Sequence, residues 1–489
     1  KKENKIWDES SSKATYKNRK GNQPFFHVQN FGNTHEGRLH FSKEYFKKEI
    51  ENFNIENTPT FPYHPDTPIF RFTRELLYKH HMSLDSKIGE FIKDLEKQGL
   101  MENTIIFYYG DHGGVLPRSK GYLYESGLNI PMVVYVPKKW KNLSPFHIGT
   151  KTSAFIDFLD LVPTVLSLAG IEIPNYLDGT PFLGKKINKE SIEQQNITFG
   201  YADRFDEKYD LVRSVRKGKY KYIRNFQPFN VDGLYNFYRY KMLAYKEWYN
   251  LFVEGKLNKY QAKFFLPKQP EELYDVKKDP HEINNLAKKT NFKNELIELR
   301  SQLKKQIISK NDLSFFPEPY FLKKGLENPI DFGKKNKELL ISLIEVANLN
   351  IYPFQEVRKK IADALNDNNP WIKYWGLIAC SSFGMKAEEN IDKINAIFED
   401  ENEENLVRIR ALEFLLLNNL KYNVLIMEDL MKSPTNLMEA ALMFNSLALF
   451  KTINPDFKIE LPKSIFPKKW YENEDNLMNR RINYLTNSE

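Results

Sequence analysis

The pattern of hydrophobic and polar positions divides the chain into three textures. Up to about residue 170, short apolar runs flank one long amphipathic stretch. PFFHVQNF (24–31), TIIFYY (104–109) and IPMVVYV (130–136) are rich in β-branched and aromatic residues. Such unbroken runs predict buried strands of a parallel sheet. Thr67-Pro68 supplies an N-cap with proline in the first turn, and Gly99 supplies a stop. The spacing therefore predicts a helix over 69–98 with Leu76, Leu77, Leu84, Ile88, Ile92 and Leu95 inward. Residues 153–170, SAFIDFLDLVPTVLSLAG, predict a second helix, broken near Pro163 and ended by Gly170. This alternation argues for an α/β domain with helices on both faces of its sheet.

From 197 to 290 the pieces become short, alternating and rich in basic residues, as in DLVRSVRKGKYKYIRNF, which predicts a smaller antiparallel sheet. A helix is expected at 293–309, followed by the loop SFFPEPYFLKKGLENP. Beyond 335 the periodicity is helical. NPWIKYWGLIA (369–379) and ENLVRIRALEF (404–414) align at an offset of 35, setting Ile372 on Val407 and Leu377 on Leu412. NLMEAALMF (436–444) is a weaker third copy. Helix pairs at that period suggest a HEAT-like array whose inner faces carry Ile372, Trp375, Val407 and Leu412. The expected organisation is a polar basic lead at 1–23, an α/β domain at 24–195, a smaller α+β subdomain at 196–310, helical repeats at 335–460 and a tail at 461–489.

Composition adds constraints. With 489 residues and 41% hydrophobic content, the chain buries a large core in two or three domains. No apolar run reaches 18 residues, so no membrane span is expected. The net charge is +8, and half of it lies in residues 1–20, where seven Lys/Arg face three Asp/Glu. A solvated basic lead accounts for that excess, and no nucleic-acid motif accompanies it. Cys380 is the only cysteine, so no internal disulfide forms; in IACSSFG on a repeat helix it is expected to be a buried structural thiol.

The chemistry concentrates after TIIFYY. In open α/β sheets, ligands sit beyond the carboxyl ends of strands, and that is where DHGG (111–114) falls. Asp111 offers a hard oxygen and His112 a nitrogen ligand or donor, while Gly113 and Gly114 let backbone approach an ion or oxyanion closely. A plain polar turn is the other reading of those four residues taken alone. Lys120 follows nine residues after Asp111, and His35 lies in NTHEGR after the first predicted strand. A carboxylate, two histidines and a lysine at one edge would suit a divalent cation and a tetrahedral oxyanion.

The ordered set PFFHVQNFGNTH, YKHHMSLDSKIGEFIKDLEKQGLMENTIIFYYGDHG, KGYLYESGLNIPMVVYVP, FIDFLDLVPTVLSLAG, YADRFDEKYD and ELYDVKKDPHEINNLA spans about 24–290. It resembles the sulfatases of the alkaline phosphatase-like superfamily, and within them the bacterial N-sulfoglucosamine sulfohydrolase-like group, some of which carry a HEAT-like extension. The resemblance implies an α/β, alkaline phosphatase-like sheet domain, N-terminally incomplete, with a small antiparallel β subdomain and a C-terminal α-helical repeat region. It implies Asp111 and His112 as ligands of a single Ca²⁺, Lys120 as the basic residue on the substrate sulfate, and His35 as donor to the sulfate or leaving-group oxygen. Asp203 and Arg204 match a motif bordering the sugar pocket, and a structural ion pair at a domain seam is their other reading.

The family nucleophile, a cysteine or serine in C/S-x-P-x-R converted to formylglycine, is not in these 489 residues, nor is the early Asp-Asp metal pair. The resemblance therefore implies a formylglycine in a missing N-terminal segment and a chain inactive alone. Asn129 stands where the family usually has arginine. The implied function is hydrolysis of sulfate esters or N-sulfates on a sulfated oligo- or polysaccharide, in the periplasm or outside the cell by family analogy. A phosphoester-cleaving relative, or a non-catalytic binder using the glycan pocket or a protein partner on the helical repeats, are the alternatives.

Overall fold

A computed structural model describes residues 6–473 and 476–486. Residues 1–5 of the lead, and 474–475 and 487–489 of the tail, lie outside the described residues. The lead is not wholly solvated: Tyr16 is buried, stacks against Phe25 and meets Phe91 edge-on, and Lys17 pairs with Asp94 at 2.7 Å. Those two partners, Phe91 and Asp94, belong to helix α1, Pro68–Lys97. The helix starts where the sequence says it should, because the Thr67 hydroxyl accepts from the Phe70 N–H and proline occupies the first turn. Gly99 leaves it with φ +67°, the left-handed conformation glycine takes without a Cβ penalty. Leu76, Leu77, Leu84 and Leu95 are buried; Ile88 and Ile92 are half-buried.

The first sheet departs from expectation. β1, Ile106–Tyr109, pairs antiparallel with β2, Met132–Tyr135, in a two-stranded sheet. An unbroken apolar run does not distinguish parallel from antiparallel pairing. The connection of residues 110–131 is long enough for a parallel crossover, but it holds only the four-residue helix Glu125–Leu128 and not the longer helix such a crossover usually carries. Tyr108 and Val133 are 41% and 60% exposed, so this pair is not the buried sheet the sequence predicts. Residues 24–31, expected as a strand, form no regular element and join no ladder. The 153–170 helix is also shorter: a 3₁₀ turn, Phe158–Asp160, leads into α2, Leu161–Ala169. Pro163 does not break it, because it falls in the first turn, where its missing N–H leaves nothing unpaired.

The second sheet is the molecule's organising layer. β3 (Ile197–Phe205), β4 (Lys208–Lys217), β5 (Tyr220–Asn225) and β6 (Glu271–Asp275) pair antiparallel in sequence order. Side chains alternate across it with period two. Leu211, Val215, Tyr222 and Leu273 enter one core, and Val212, Ile223 and Tyr274 enter another. The first core also takes Leu296, Leu299, Leu303 and Ile307 of α3, Lys293–Ser309. The second contains α1, residues 115–124 and Trp248. Helices therefore cover both faces of this four-stranded sheet, which is the larger of the two rather than the smaller one expected.

Within 314–329, the stretch expected as loop, the short helix Glu318–Lys324 forms, and Pro329–Lys335 starts at its end, because proline occupies the first turn of each. The helical region follows as α4 (Lys337–Ala347), α5 (Phe354–Leu365), α6 (Pro370–Phe383), α7 (Ile391–Glu399), α8 (Asn405–Leu417), α9 (Val424–Lys432) and α10 (Leu437–Ile453). α6 packs on α8 and α8 on α10, while α5 pairs with α6 and α7 with α8. α6 and α8 begin 35 residues apart, the sequence offset. Trp375, Val407 and Leu412 are buried and Ile372 half-buried. Residues 406–416 of α8 are buried on every side, as befits a helix sandwiched between two others. Cys380 is buried in this packing, and burial pushes its thiol up to about 12.

The stretch expected as a tail ends in α11, Leu477–Leu485, which buries Met478, Ile482 and Leu485. Its Arg481 is buried too, donating to the carbonyls of Glu207 (2.8 Å) and Tyr235 (2.9 Å), and Tyr484 stacks on Tyr235. Asn445 of α10 both accepts from Tyr209 N–H (2.9 Å) and donates to Tyr209 C=O (3.2 Å). The sheet and the helical region thus share one core.

Candidate active site

The loop leaving β1 carries three of the sequence-predicted site residues, Asp111, His112 and Lys120. It folds back on itself: Gly113 N–H donates to Gly127 C=O (2.9 Å), Gly114 N–H to Ser126 C=O (2.7 Å), and Lys120 N–H to Gly114 C=O (3.0 Å). A Cβ at Gly113 would lie 2.5 Å from the Ser126 oxygen and 2.7 Å from the Gly127 carbonyl carbon. Gly113 is therefore needed for the close approach of two backbone segments, not for approach to an ion as the sequence suggested. Arg118 anchors the loop. It holds φ +68°, unusual for a side-chain-bearing residue. Its buried guanidinium donates to the carbonyls of His281 and Glu282 (both 3.0 Å) and lies over the Tyr63 and Tyr124 rings.

Lys120 and His35 come together through a residue that sequence reasoning passed over. His35 caps the 3₁₀ turn Glu36–Leu39, its Nδ1 accepting from Gly37 N–H at 3.2 Å. That bond assigns the ring proton to Nε2, leaving it a free donor on an exposed imidazole. Glu36, the next residue, is only 2% exposed, and its Oε2 lies 4.0 Å from Lys120 Nζ. Burial raises the Glu36 carboxyl above its ordinary range, against the pull of Arg239, Lys120 and His35. Arg239 holds Lys120 from the other end, its Nη2 donating to the Lys120 carbonyl at 2.5 Å while the guanidinium stacks on Phe205 at 3.7 Å. Gly121 makes this fit possible: it holds φ +81°, and a Cβ there would sit 2.4 Å from that Nη2. The adjacency of Glu36 to His35 in NTHEGR was the one signal available for Glu36; Arg239 had none.

Asp203 and Arg204 do not pair with each other. Asp203 binds Arg213 (2.6 Å) and Ser314 (2.8 Å), and Arg204 binds Glu318 through Nε at 2.7 Å and through Nη2. Burial raises the Asp203 carboxyl, opposed by Arg213. Here the strand register shifts, with an extra residue of β4 opposite Asp203. Both side chains thus tie the sheet to the segment entering the helical region, the seam reading. Asp203 also lines a cavity with Gly121, Lys208 and Arg239, below the Lys120 turn.

Asp111 and His112 stand apart from this cluster. The Asp111 side chain is 92% exposed, and His112 Nε2 lies 3.6 Å from its Oδ1. His112 Nδ1 is 2.9 Å from Gly113 C=O, which assigns it the proton and leaves Nε2 with a lone pair. No hydrogen bond or ion pair joins this pair to His35 or Lys120 among the described residues. The pair can offer one oxygen and one nitrogen to a cation, but Ca²⁺ takes six to eight oxygens. No group of three or more His, Cys, Asp or Glu suited to a metal occurs among the described residues. These residues alone do not complete a metal site.

Residues 4–171 match the sulfatase family model, and residues 110–239 match the model of the N-sulphoglucosamine sulphohydrolase C-terminal region. Over these residues the chain is similar to sulfatases. An ulvan-active sulfatase of Formosa agariphila is 37% identical over 352 residues, covering 65% of this chain and 57% of its own. Human N-sulphoglucosamine sulphohydrolase is 26% identical over 264 residues, 49% of each chain. The chain thus spans about half the length of these relatives. A solved structure in complex with its substrate D-glucosamine-2-N,6-O-disulfate aligns with 55% of this chain and 47% of its own, at 19% identity and a TM-score of 0.37. No helix among the described residues is long and apolar enough to cross a membrane.

Proposed function

We propose that the chain carries the sulfate-recognising part of a sulfatase that hydrolyses sulfate esters or N-sulfates on a sulfated saccharide. The observation that carries this is the convergence of Lys120 and His35 on Glu36, within residues matched to the family models. In this reading the Lys120 ammonium is a point charge on a sulfate oxygen. The Nε2–H of His35 donates to the sulfate or to the leaving-group oxygen. Both act where negative charge grows as the bond to sulfur breaks, so they favour the transition state over the bound substrate.

Similarity to sulfatases implies a formylglycine nucleophile and a divalent metal. The formylglycine supplies the attacking oxygen, and we assign it to a segment outside these 489 residues. We assign the metal as Ca²⁺, with Asp111 and His112 giving part of its shell. A sulfated oligo- or polysaccharide is the partner, in a periplasmic or extracellular setting. We read α4–α10 as a HEAT-like array able to take a protein partner.

The test is sulfate release from a panel of sulfated oligosaccharides. The 489-residue chain should show no turnover. Joined to a nucleophile-bearing sulfatase segment in a host that makes formylglycine, it should release sulfate, and Lys120→Ala should slow that by roughly 10²-fold. Turnover by the 489-residue chain unaided would overturn the assignment of the nucleophile. Glycan binding that never becomes turnover would favour the non-catalytic reading.

A further inference from the structure

We propose that the buried carboxylate of Glu36 is an internal counter-anion for Lys120, so that capture of a sulfate group by Lys120 is coupled to proton uptake at Glu36. This rests on the reading of Lys120 as the sulfate-binding cation. Glu36 is 2% exposed, and its Oε2, 4.0 Å from Lys120 Nζ, accepts no hydrogen bond among the described residues. A buried carboxylate oxygen without a hydrogen-bond donor is costly unless nearby charge compensates it.

The groups facing Glu36 come from every element around it. Lys120 belongs to the loop after β1, and His35 to Glu36's own turn. Tyr238 and Arg239 lie on the short helix Phe237–Tyr240, and Asp206 on the turn between β3 and β4. Arg239, Lys120 and His35 stabilise the carboxylate in that order, and Asp206 opposes them. Arg239 is fully buried and tethered to the Lys120 carbonyl, so it does not leave. Lys120 is partly exposed and is the cation an arriving sulfate can share.

The coupling follows from that geometry. In the free protein Lys120 partly neutralises Glu36. A sulfate on Lys120 brings a second negative charge to the same ammonium, and the carboxylate then binds a proton more readily. A proton taken up on binding means tighter binding as pH falls, and weaker binding as pH rises through the raised Glu36 value. His35 is the neighbour of Glu36 in the same turn, so substitution at each separates the two residues.

The experiment is calorimetric and NMR titration of the 489-residue chain with potassium sulfate and with glucosamine 6-sulfate between pH 5 and 7.5. Two buffers of different ionisation enthalpy report protons taken up. The unsubstituted chain should take up protons on binding and weaken as pH rises. Glu36→Gln keeps the shape and removes the charge; it should lose the uptake and bind about tenfold tighter or more near pH 7, the scale for a charge at this distance. His35→Gln should retain the uptake. The coupling is overturned if the unsubstituted chain binds without proton uptake, if Glu36→Gln keeps the uptake or binds no tighter, or if His35→Gln abolishes it. The first of these needs no variant to fold. Lys120→Ala separates the two claims: if it binds sulfate like the unsubstituted chain, or if that chain binds none, the site assignment itself falls.

Discussion

Gly113→Ala should disrupt the loop that carries Asp111 and Lys120, while Gly114→Ala beside it should not. The new methyl at 113 would stand 2.5 Å from Ser126 O, 2.7 Å from the Gly127 carbonyl carbon and 2.9 Å from Gly127 Cα, all backbone atoms that no rotamer change can move. Relieving that overlap forces residues 113–114 away from 126–127. An overpacked site costs about 1–3 kcal/mol, and the two strained bonds, Gly113 N–H to Gly127 and Gly114 N–H to Ser126, contribute about 1 kcal/mol each. The worked loss is about 3–5 kcal/mol, concentrated in the loop. At Gly114 the nearest atoms are 3.4 Å away, and one is a serine side-chain oxygen free to turn, so the same methyl should change stability by less than about 1 kcal/mol. Hydrogen exchange of the amides at 110–128, beside urea denaturation of the whole chain, distinguishes the two. Gly113→Ala should exchange faster there and Gly114→Ala should match the unsubstituted chain. Equal exchange in both variants would refute the argument that glycine serves backbone packing here.

Three further outcomes follow from buried groups. Asn445→Leu should cost roughly 3–5 kcal/mol, because the Tyr209 N–H and C=O and the Arg481 guanidinium lose buried partners together; an unchanged denaturation midpoint would show that the helical region does not brace β4. Lys208 is buried and its amine is pushed down to about 8, chiefly by burial. The cost of carrying its charge is full below pH 8 and fades as pH rises toward the unfolded value near 10.4, so stability relative to Lys208→Met should improve over that window by roughly 3 kcal/mol at most. A difference that stays flat from pH 7 to 10 would contradict it. Cys380, with its thiol held up near 12 and no exposure, should react with a thiol reagent only at the rate of unfolding, and rapid labelling of native protein would count against the packing of α6.

What the sequence made legible was local. The cap at Thr67, the stop at Gly99, the helix at 293–309 and the 35-residue offset each rest on signals within one element, and each appears. Pairing was not legible, because the apolar run at 104–109 fits either ladder, and the 22 residues 110–131 between the strands are long enough for either connection. Nor was the meeting of sheet and helices in one core, which depends on contacts such as Asn445 to Tyr209, 236 residues apart. At the site, His35, Asp111, His112 and Lys120 could be chosen by chemistry and order along the chain. Glu36 and Arg239 could not, since a glutamate and an arginine gain meaning there only once burial leaves one carboxylate between two cations. Asp203 and Arg204 looked like a pair because they are neighbours, yet adjacent strand residues point to opposite faces and found separate partners.

The central claim is that Lys120 and His35 hold the substrate's sulfate. A crystal structure of the 489-residue chain with a bound sulfated saccharide, glucosamine 6-sulfate or an ulvan oligosaccharide, tests it most directly. The account predicts a sulfate oxygen within about 2.7–3.2 Å of Lys120 Nζ and another polar atom of the ligand in the same range of His35 Nε2. A sugar whose sulfate lies elsewhere on the molecule, with both side chains left in solvent, would contradict it.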